Sequence, residues 1–141
     1  TGRDGMLASI AEGLAMNPMY VAFSVPVTKK ALPDYHKVVT HKMDLQTIAR
    51  NAKKAGGYAS VESWLGDVKQ ILTNSKLYHE ADEDVMIRVP QIVFSAEQLV
   101  KDAEKALEER ASELKTLDPT FDLDKVLGRA TGGEGGDAMV E

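Results

Sequence analysis

The sequence contains no cysteine, and only 6% of its 141 residues are aromatic. The absence of cysteine excludes a disulfide framework and a zinc–thiolate site. No run of about 18 apolar residues is present, so the sequence predicts no transmembrane helix and no membrane partner. The net charge is −5, and because Lys and Arg contacts to phosphate dominate nucleic-acid affinity, direct nucleic-acid binding is not expected. What remains is one predicted domain, whose 43% hydrophobic content is ample for a core.

Signatures of catalysis are also missing from the sequence. It has no nucleophile elbow, no phosphate-binding loop and no His-Glu metal helix. The three histidines are His36, His41 and His79, and the first two lack the spacing of a ligand pair on a helix. We therefore expect neither an enzyme nor a bound metal or other cofactor.

Helical periodicity is strong, whereas no strand pattern is visible. Apolar residues recur every three to four positions over four segments, which predicts an all-α bundle. The predicted helices are Arg3–Met16, Asp44–Lys54, Val61–Tyr78 and Val85–Leu114. Short connections between the later helices imply antiparallel neighbours. The charged sequence beyond Ala103 is typical of a helix end that projects into solvent.

The chain end differs in composition from the predicted bundle. We expect the bundle to span residues 3–115, and residues 116–141 to form a C-terminal extension that is partly flexible because of its glycine pairs. One docking turn is predicted around Phe121 and Val126. Since the sequence begins at Thr1, we also expect it to be a piece of a larger protein.

A segment without helical period separates the first two predicted helices. It runs for about 25 residues from Pro18 to Lys42 and contains three prolines. Long irregular segments are usually disordered or functional, and disordered ones are poor in hydrophobic residues. This segment is instead rich in apolar and aromatic residues, so we predict an ordered loop that forms one wall of a binding pocket.

The loop and its flanking helices resemble the bromodomain family over about Met6 to Glu113. The motifs that carry the resemblance are Pro26-Val27, the run Leu32–Val39, the run Met43–Ile48 and Asn74–Tyr78. The stretch Pro26–Leu72 is most similar to the bromodomains of the large TATA-binding-protein-associated factor. The resemblance implies a left-handed four-helix bundle, with a long ordered loop between its first two helices, that binds acetylated lysine.

The resemblance also implies which residues line the acetyl-lysine slot. The implied set is Phe23, Val27, Leu32, Tyr35, Tyr78, His79 and Val85. In the family these positions supply a shelf aromatic, two apolar side walls, a tyrosine that holds a buried water, a second aromatic, the amide donor and a gatekeeper, in that order. Tyr35, Tyr78 and Phe23 are also compatible with plain core packing, and His79 with an exposed loop position.

Three parts of the sequence depart from the family pattern. His79 stands where the family has the asparagine that donates to the acetyl oxygen. Val21 and Ala22 replace the Trp and Pro of the shelf, and Lys42 replaces a proline. A neutral imidazole has one N–H donor and cannot reproduce the paired donor and acceptor of an amide. We therefore expect weak or altered acetyl-lysine binding.

The expected function is that of a non-enzymatic reader of acetylated lysine in histone or other protein tails. The acidic composition suits basic tails. The resemblance places such a reader in the nucleus, within a multidomain protein of chromatin or transcription. The alternative is a bromodomain-fold scaffold that has lost acetyl-lysine recognition.

Overall fold

The computed structural model describes residues 2–28, 34–81 and 91–129, and these ranges contain helices and no strand. The helices are α1 Gly2–Ala15, α2 Tyr35–Val38, α3 Leu45–Lys53, α4 Val61–Ala81, α5 Ile92–Glu109, α6 Ala111–Leu117 and α7 Leu123–Val126. A 3₁₀ segment, Pro18–Phe23, follows α1. None of the helices in these ranges has the length and apolarity that a membrane span requires.

Four of these helices enclose the main core. Helix α1 packs chiefly on α3, and α4 packs chiefly on α5. The centre is closed by Leu7, Leu45, Trp64 and Leu99, whose side chains are fully buried. The predicted all-α four-helix bundle is confirmed.

The ends of α3 follow from local chemistry. Asp44 caps the helix, because its Oδ2 accepts a hydrogen bond from the Thr47 amide at 2.8 Å. After the helix, Gly56 and Gly57 adopt positive φ angles of 88° and 47°, which residues with a side chain rarely adopt. The observed limits, Leu45–Lys53, lie within one residue of the predicted limits Asp44–Lys54 at each end.

Helix α4 is longer than the sequence predicted. It continues past the expected end at Tyr78 to Ala81, because Glu80 and Ala81 are favourable helix residues and no breaker intervenes. The predicted end of this helix at Tyr78 is therefore wrong, and His79 lies in the last turn of α4 instead of in a loop.

The long loop contains more local structure than its irregular pattern suggested. Pro18 opens the 3₁₀ segment, where its fixed φ is an advantage, and the Asn17 side chain accepts a hydrogen bond from the Met19 amide at 2.9 Å. Tyr20 and Phe23 are buried by this turn. These elements are too short to produce a sequence period.

The expected solvent-projecting end of the last long helix is also wrong. Its predicted start at Val85 lies outside the described residues, but α5 stops at Glu109 and α6 begins at Ala111. Leu107 and Leu114 are fully buried, and the side chains of Phe121 and Val126 are only 5% and 8% exposed. The chain bends back over the bundle, which buries these apolar residues beyond Ala103.

An ion pair joins the two ends of the described chain. Arg3 Nη1 lies 3.0 Å from Asp118 Oδ2, and Arg3 Nη2 lies 2.9 Å from Asp4 Oδ1. Arg3 also donates to the backbone carbonyl of Tyr58. The segment after α6 is thus tied to α1 and to the turn before α4. The limits 3–115 and 116–141 stay a prediction, and residues 130–141 lie outside the described residues.

Candidate functional site

Two aromatic residues from distant parts of the sequence meet where the loop crosses α4. Tyr35 opens α2 and Tyr78 lies near the end of α4; their ring centroids are 5.1 Å apart and their planes make an angle of 75°. This is an edge-to-face arrangement, which aromatic pairs prefer. Tyr78 is only 4% exposed, while Tyr35 is half-buried. The structure therefore brings together two of the residues that the sequence assigned to the slot.

The tyrosine pair sits in a small apolar cluster separate from the main core. Val39 and Tyr78 are its buried members, and Tyr35, Val38 and Ile92 pack against them. Ile92 also touches the main core, so the first residue of α5 joins the two clusters. The sequence assigned Ile92 only to the helix stripe, and its position opposite the loop had no separate sequence signal.

Burial affects the protonation of the half-buried tyrosine. Burial, followed by the nearby Tyr78 and Asp44, raises the pKa of the Tyr35 hydroxyl above its ordinary value, because a phenolate would be poorly solvated there and repelled by negative charge. A tyrosine hydroxyl is already protonated at neutral pH at its ordinary pKa of about 10, and the raised pKa extends this to higher pH. A neutral phenol can both donate and accept a hydrogen bond.

His79 follows Tyr78 directly on α4. Its side chain is partly exposed, so it is neither a fully exposed loop histidine nor a core residue. On α4, Tyr78 is the residue that contacts Tyr35, and His79 is next to it in sequence; residues 82–90 lie outside the described part of the chain. An imidazole at this position offers one donor and one acceptor when neutral.

A buried amide fixes the end of the loop to α4. Asn74 is 2% exposed; its Nδ2 donates to the His41 carbonyl at 2.7 Å, and its Oδ1 accepts from Gln70 Nε2 at 2.9 Å. Both functions of the amide are therefore satisfied within the protein. Asn74 is a positioning residue for the loop, a role that the sequence indicated only by a polar residue within an apolar helical stripe.

The start of the loop is fixed to the bundle as well. The Ser24 carbonyl accepts a hydrogen bond from the Gln46 amide at 3.0 Å, and Ser24 Oγ donates to the Tyr20 carbonyl at 3.0 Å. Phe23 is buried among residues of the main core. The loop is thus attached to the bundle by hydrogen bonds near both of its ends, at Ser24 and at His41.

The remaining predicted site residues have different surroundings. Phe23 belongs to the main core and is not in the cluster that holds Tyr35 and Tyr78. Val27 is half-buried, while Val21 and Ala22, at the altered shelf positions, are exposed. Leu32 and Val85 lie outside the described residues, so their assignment stays a prediction. Within the described ranges, no three metal-ligating side chains form a cluster.

These features define a class of protein: an all-helical bundle with a long anchored loop whose aromatic residue meets another at the end of a long helix. The bromodomain family profile matches residues 7–89, more than half of the chain. The chain therefore belongs to the bromodomain family. Bromodomains are non-catalytic modules that typically bind acetylated lysine.

Several large proteins contain similar sequences. The chain is 33% identical to Transcription initiation factor TFIID subunit 1 of Drosophila melanogaster over 119 residues, which are 84% of this chain and 5% of that protein. It is 44% identical to Tyrosine-protein kinase BAZ1B of Homo sapiens over 57 residues, 40% of this chain and 4% of that protein. It is 25% identical to Histone acetyltransferase GCN5 of Oryza sativa subsp. japonica over 77 residues, 55% of this chain and 15% of that protein.

The chain spans only a small part of the length of these relatives. The match to TFIID subunit 1 agrees with the resemblance to the large TATA-binding-protein-associated factor found in the sequence. The activities named for the whole relatives therefore refer to those proteins and not to this chain.

Proposed function

We propose that this bromodomain binds acetylated lysine in histone tails or other protein tails, with an affinity that His79 weakens or alters. The observation that carries the proposal is the Tyr35–Tyr78 pair, with centroids 5.1 Å apart, at the junction of loop and α4. His79 is the next residue along the helix. The slot would therefore have its aromatic walls in place and a changed hydrogen-bond donor.

Acetyl-lysine is an uncharged amide on an apolar stem, so it needs an apolar slot with a few placed polar groups. Tyr35, Val27 and Tyr78 supply apolar surface here, with Phe23 supporting the loop from the core. Leu32 and Val85 complete the proposed set. An unmodified lysine would carry an unpaired charge into this surface, which is the basis of discrimination.

The donor is the feature that distinguishes this chain. An acetyl carbonyl buried without a partner costs roughly 2–7 kcal/mol, depending on the reference state. His79 can offer one N–H in a single tautomer, and its ring is larger than the amide of asparagine. The neutral Tyr35 hydroxyl, whose pKa is raised by burial, is suited to hold a water beneath the same carbonyl. Weak binding follows because only part of the usual donor set is available.

The proposed setting is a nuclear multidomain protein of chromatin or transcription. Three observations support it: the family, the relatives' names, and the fact that the chain spans 5% of TFIID subunit 1. The net charge of −5 would favour encounter with basic histone tails.

A calorimetric titration tests the proposal. An acetylated histone-tail peptide and its unmodified counterpart are titrated into wild type, His79→Asn and the control His41→Asn. His41 is an exposed histidine whose backbone carbonyl, not its ring, is used by Asn74. We expect wild type to bind only the acetylated peptide, His79→Asn to bind it at least about tenfold more tightly, and His41→Asn to match wild type. A tenfold change corresponds to about 1.4 kcal/mol.

Other results would redirect the proposal. An unchanged affinity in His79→Asn would show that His79 does not limit binding. The alternative function, a bromodomain-fold scaffold without acetyl-lysine recognition, is favoured by the histidine at the donor position. It would be supported if the acetylated peptide fails to raise the melting temperature of wild type, since a tight ligand stabilises the folded state by mass action.

A further inference from the structure

A second concave surface lies between α1, the start of the loop and α3. This α1–α3 groove has a volume of about 530 Å³ and is lined by Met16, Val25, Leu45, Ala49, Arg50 and Lys53, among others. None of these residues belongs to the proposed acetyl-lysine slot. The floor is apolar, and the cationic side chains come from one helix, α3.

The apolar side chains around the groove are unusually exposed. Met16 is 83% exposed and Val25 is 54% exposed, while Met19 and Val21 are exposed nearby. Single exposed apolar residues are ordinary, but Met16 and Val25 line the same concavity, and exposed apolar side chains grouped in this way mark a surface that binds another molecule. Methionine is flexible and polarisable, so it adapts to a partner's shape.

The lining of the groove differs in sign of charge from the chain as a whole. Its charged residues are Glu12, Arg50 and Lys53, which leave one net positive charge, although the net charge of the chain is −5. Lys53 is paired with Glu12 across the groove. Arg50 donates to Gln46 Oε1 at 3.3 Å and forms no ion pair within the described ranges. A cation therefore stands at the edge of an apolar floor.

We propose that the α1–α3 groove docks an acidic amphipathic helix from a partner protein. Such a helix would place apolar side chains, spaced i and i+3 or i+4, on Ala15, Met16 and Val25, which line the groove. Its acidic residues would face Arg50, since Lys53 is already paired with Glu12. The volume suits two or three large side chains, so the interface is small and the complex transient.

Two other occupants fit less well. A basic histone tail would bring like charge to Arg50 and would not be attracted here. A nucleic acid would pair its phosphates with Arg50 but would leave the exposed Met16 and Val25 uncovered, and the lining has only two cations, one of which is paired with Glu12. Charge and apolarity together select an acidic, apolar peptide.

The test is a selection followed by mapping. A random library of displayed helical peptides is selected on the intact chain, with removal of clones that also bind a Met16→Ser, Val25→Ser variant, which removes the exposed apolar surface without changing the charge of the groove. We expect the surviving peptides to be acidic, with apolar residues at i and i+3 or i+4.

Amide NMR titration of one such peptide should shift resonances of residues 12–16, 24–25 and 45–53 and leave those around Tyr78 unmoved. Arg50→Glu alone should weaken binding at least about fivefold, and Lys69→Glu, an exposed charge reversal on α4, should not.

Each contrary result overturns the proposal. Selection that yields only basic peptides, or no peptide that depends on Met16 and Arg50, would remove the acidic helix as occupant. A short DNA duplex that shifts the α3 resonances more strongly than the peptides would identify a nucleic-acid surface instead. The measurement does not involve His79, so its outcome is separate from that of the acetyl-lysine titration, and equal melting temperatures of the variants would exclude unfolding as the cause.

Discussion

The ring of Tyr35 meets the ring of Tyr78 edge-on, with their centroids 5.1 Å apart. This contact holds the loop against α4, since Tyr35 begins α2 and Tyr78 belongs to the end of the long helix. Aromatic pairs of this geometry contribute about 0.5–1.5 kcal/mol beyond their buried area. The same two rings therefore contribute to the fold and form the aromatic part of the proposed slot.

Replacing Tyr35 separates these two contributions. Tyr35→Phe retains the ring contact and removes the hydroxyl, whereas Tyr35→Leu removes both. We expect Tyr35→Phe to keep nearly wild-type stability but to weaken acetylated-peptide binding, because the proposed bridging water loses its partner. Tyr35→Leu should also lower the free energy of unfolding by about 1 kcal/mol. Urea unfolding and calorimetric titration measure the two effects. Equal peptide affinity of Tyr35→Phe and wild type would show that the hydroxyl is not used.

The loop end depends on a different residue, Asn74. Asn74→Leu would leave the His41 carbonyl without its 2.7 Å donor, and an unsatisfied polar group costs about 1–3 kcal/mol. We expect a loss of that size in the free energy of unfolding and faster amide hydrogen exchange in residues 39–43. Thr73→Ala, an exposed neighbour on the same helix, is the matched control and should change neither quantity. Unchanged exchange in the loop would argue that other contacts position it.

The bundle could be predicted from the sequence because its helices carry long apolar stripes. Leu45, Ile48 and Ala52 on α3, or Trp64, Leu65 and Val68 on α4, repeat at helical spacing and are all buried. Asp44 was predictable as a cap because its side chain acts on a residue three positions away. Interactions of this kind join residues that are close in the sequence, so the sequence pattern predicts them.

Contacts between distant residues could not be predicted in the same way. The Asn74 hydrogen bond to the loop backbone spans 33 positions, and a carbonyl acceptor leaves no signature in the sequence. The return of the chain over the bundle depends on Leu114 and Phe121 being buried in the main core, which composition does not reveal. At the site, the family resemblance indicated that both Tyr35 and Tyr78 belong to the slot. The position of Ile92 beside them is known only from the structure.

Burial of Phe121 makes the segment after α6 part of the folded unit. Its ring is 5% exposed within the main core, and truncation of a buried Phe to Ala typically costs about 3–5 kcal/mol. We expect Phe121→Ala to lower the free energy of unfolding by about 3 kcal/mol, measured by urea unfolding. Thr116→Ala, exposed on α6, should have little effect. A Phe121→Ala protein of wild-type stability would support a boundary near residue 115, as the sequence predicted.

Two buried tyrosines predict how the protein responds to alkaline pH. The Tyr20 hydroxyl donates to Asp102, and the Tyr58 hydroxyl donates to Asp67 Oδ2 at 2.6 Å. Burial first, and then the carboxylate partner, raises the pKa of each tyrosine above its ordinary value of about 10. The folded state thus holds these two protons at a pH where the unfolded chain releases them. Because their folded-state pKa values are raised, their contribution to stability is complete below about pH 10 and is lost as pH rises beyond it.

Urea unfolding at several pH values between about 8 and 11 measures this slope. Wild type should lose stability steadily above about pH 10. The double variant Tyr20→Phe, Tyr58→Phe should be less stable at neutral pH, since each lost hydrogen bond to a carboxylate contributes about 1.5–3 kcal/mol. Its stability should nevertheless fall less steeply above about pH 10 than that of wild type. Equal slopes in the two proteins would mean that alkaline sensitivity arises elsewhere, for example from lysines that lose their charge.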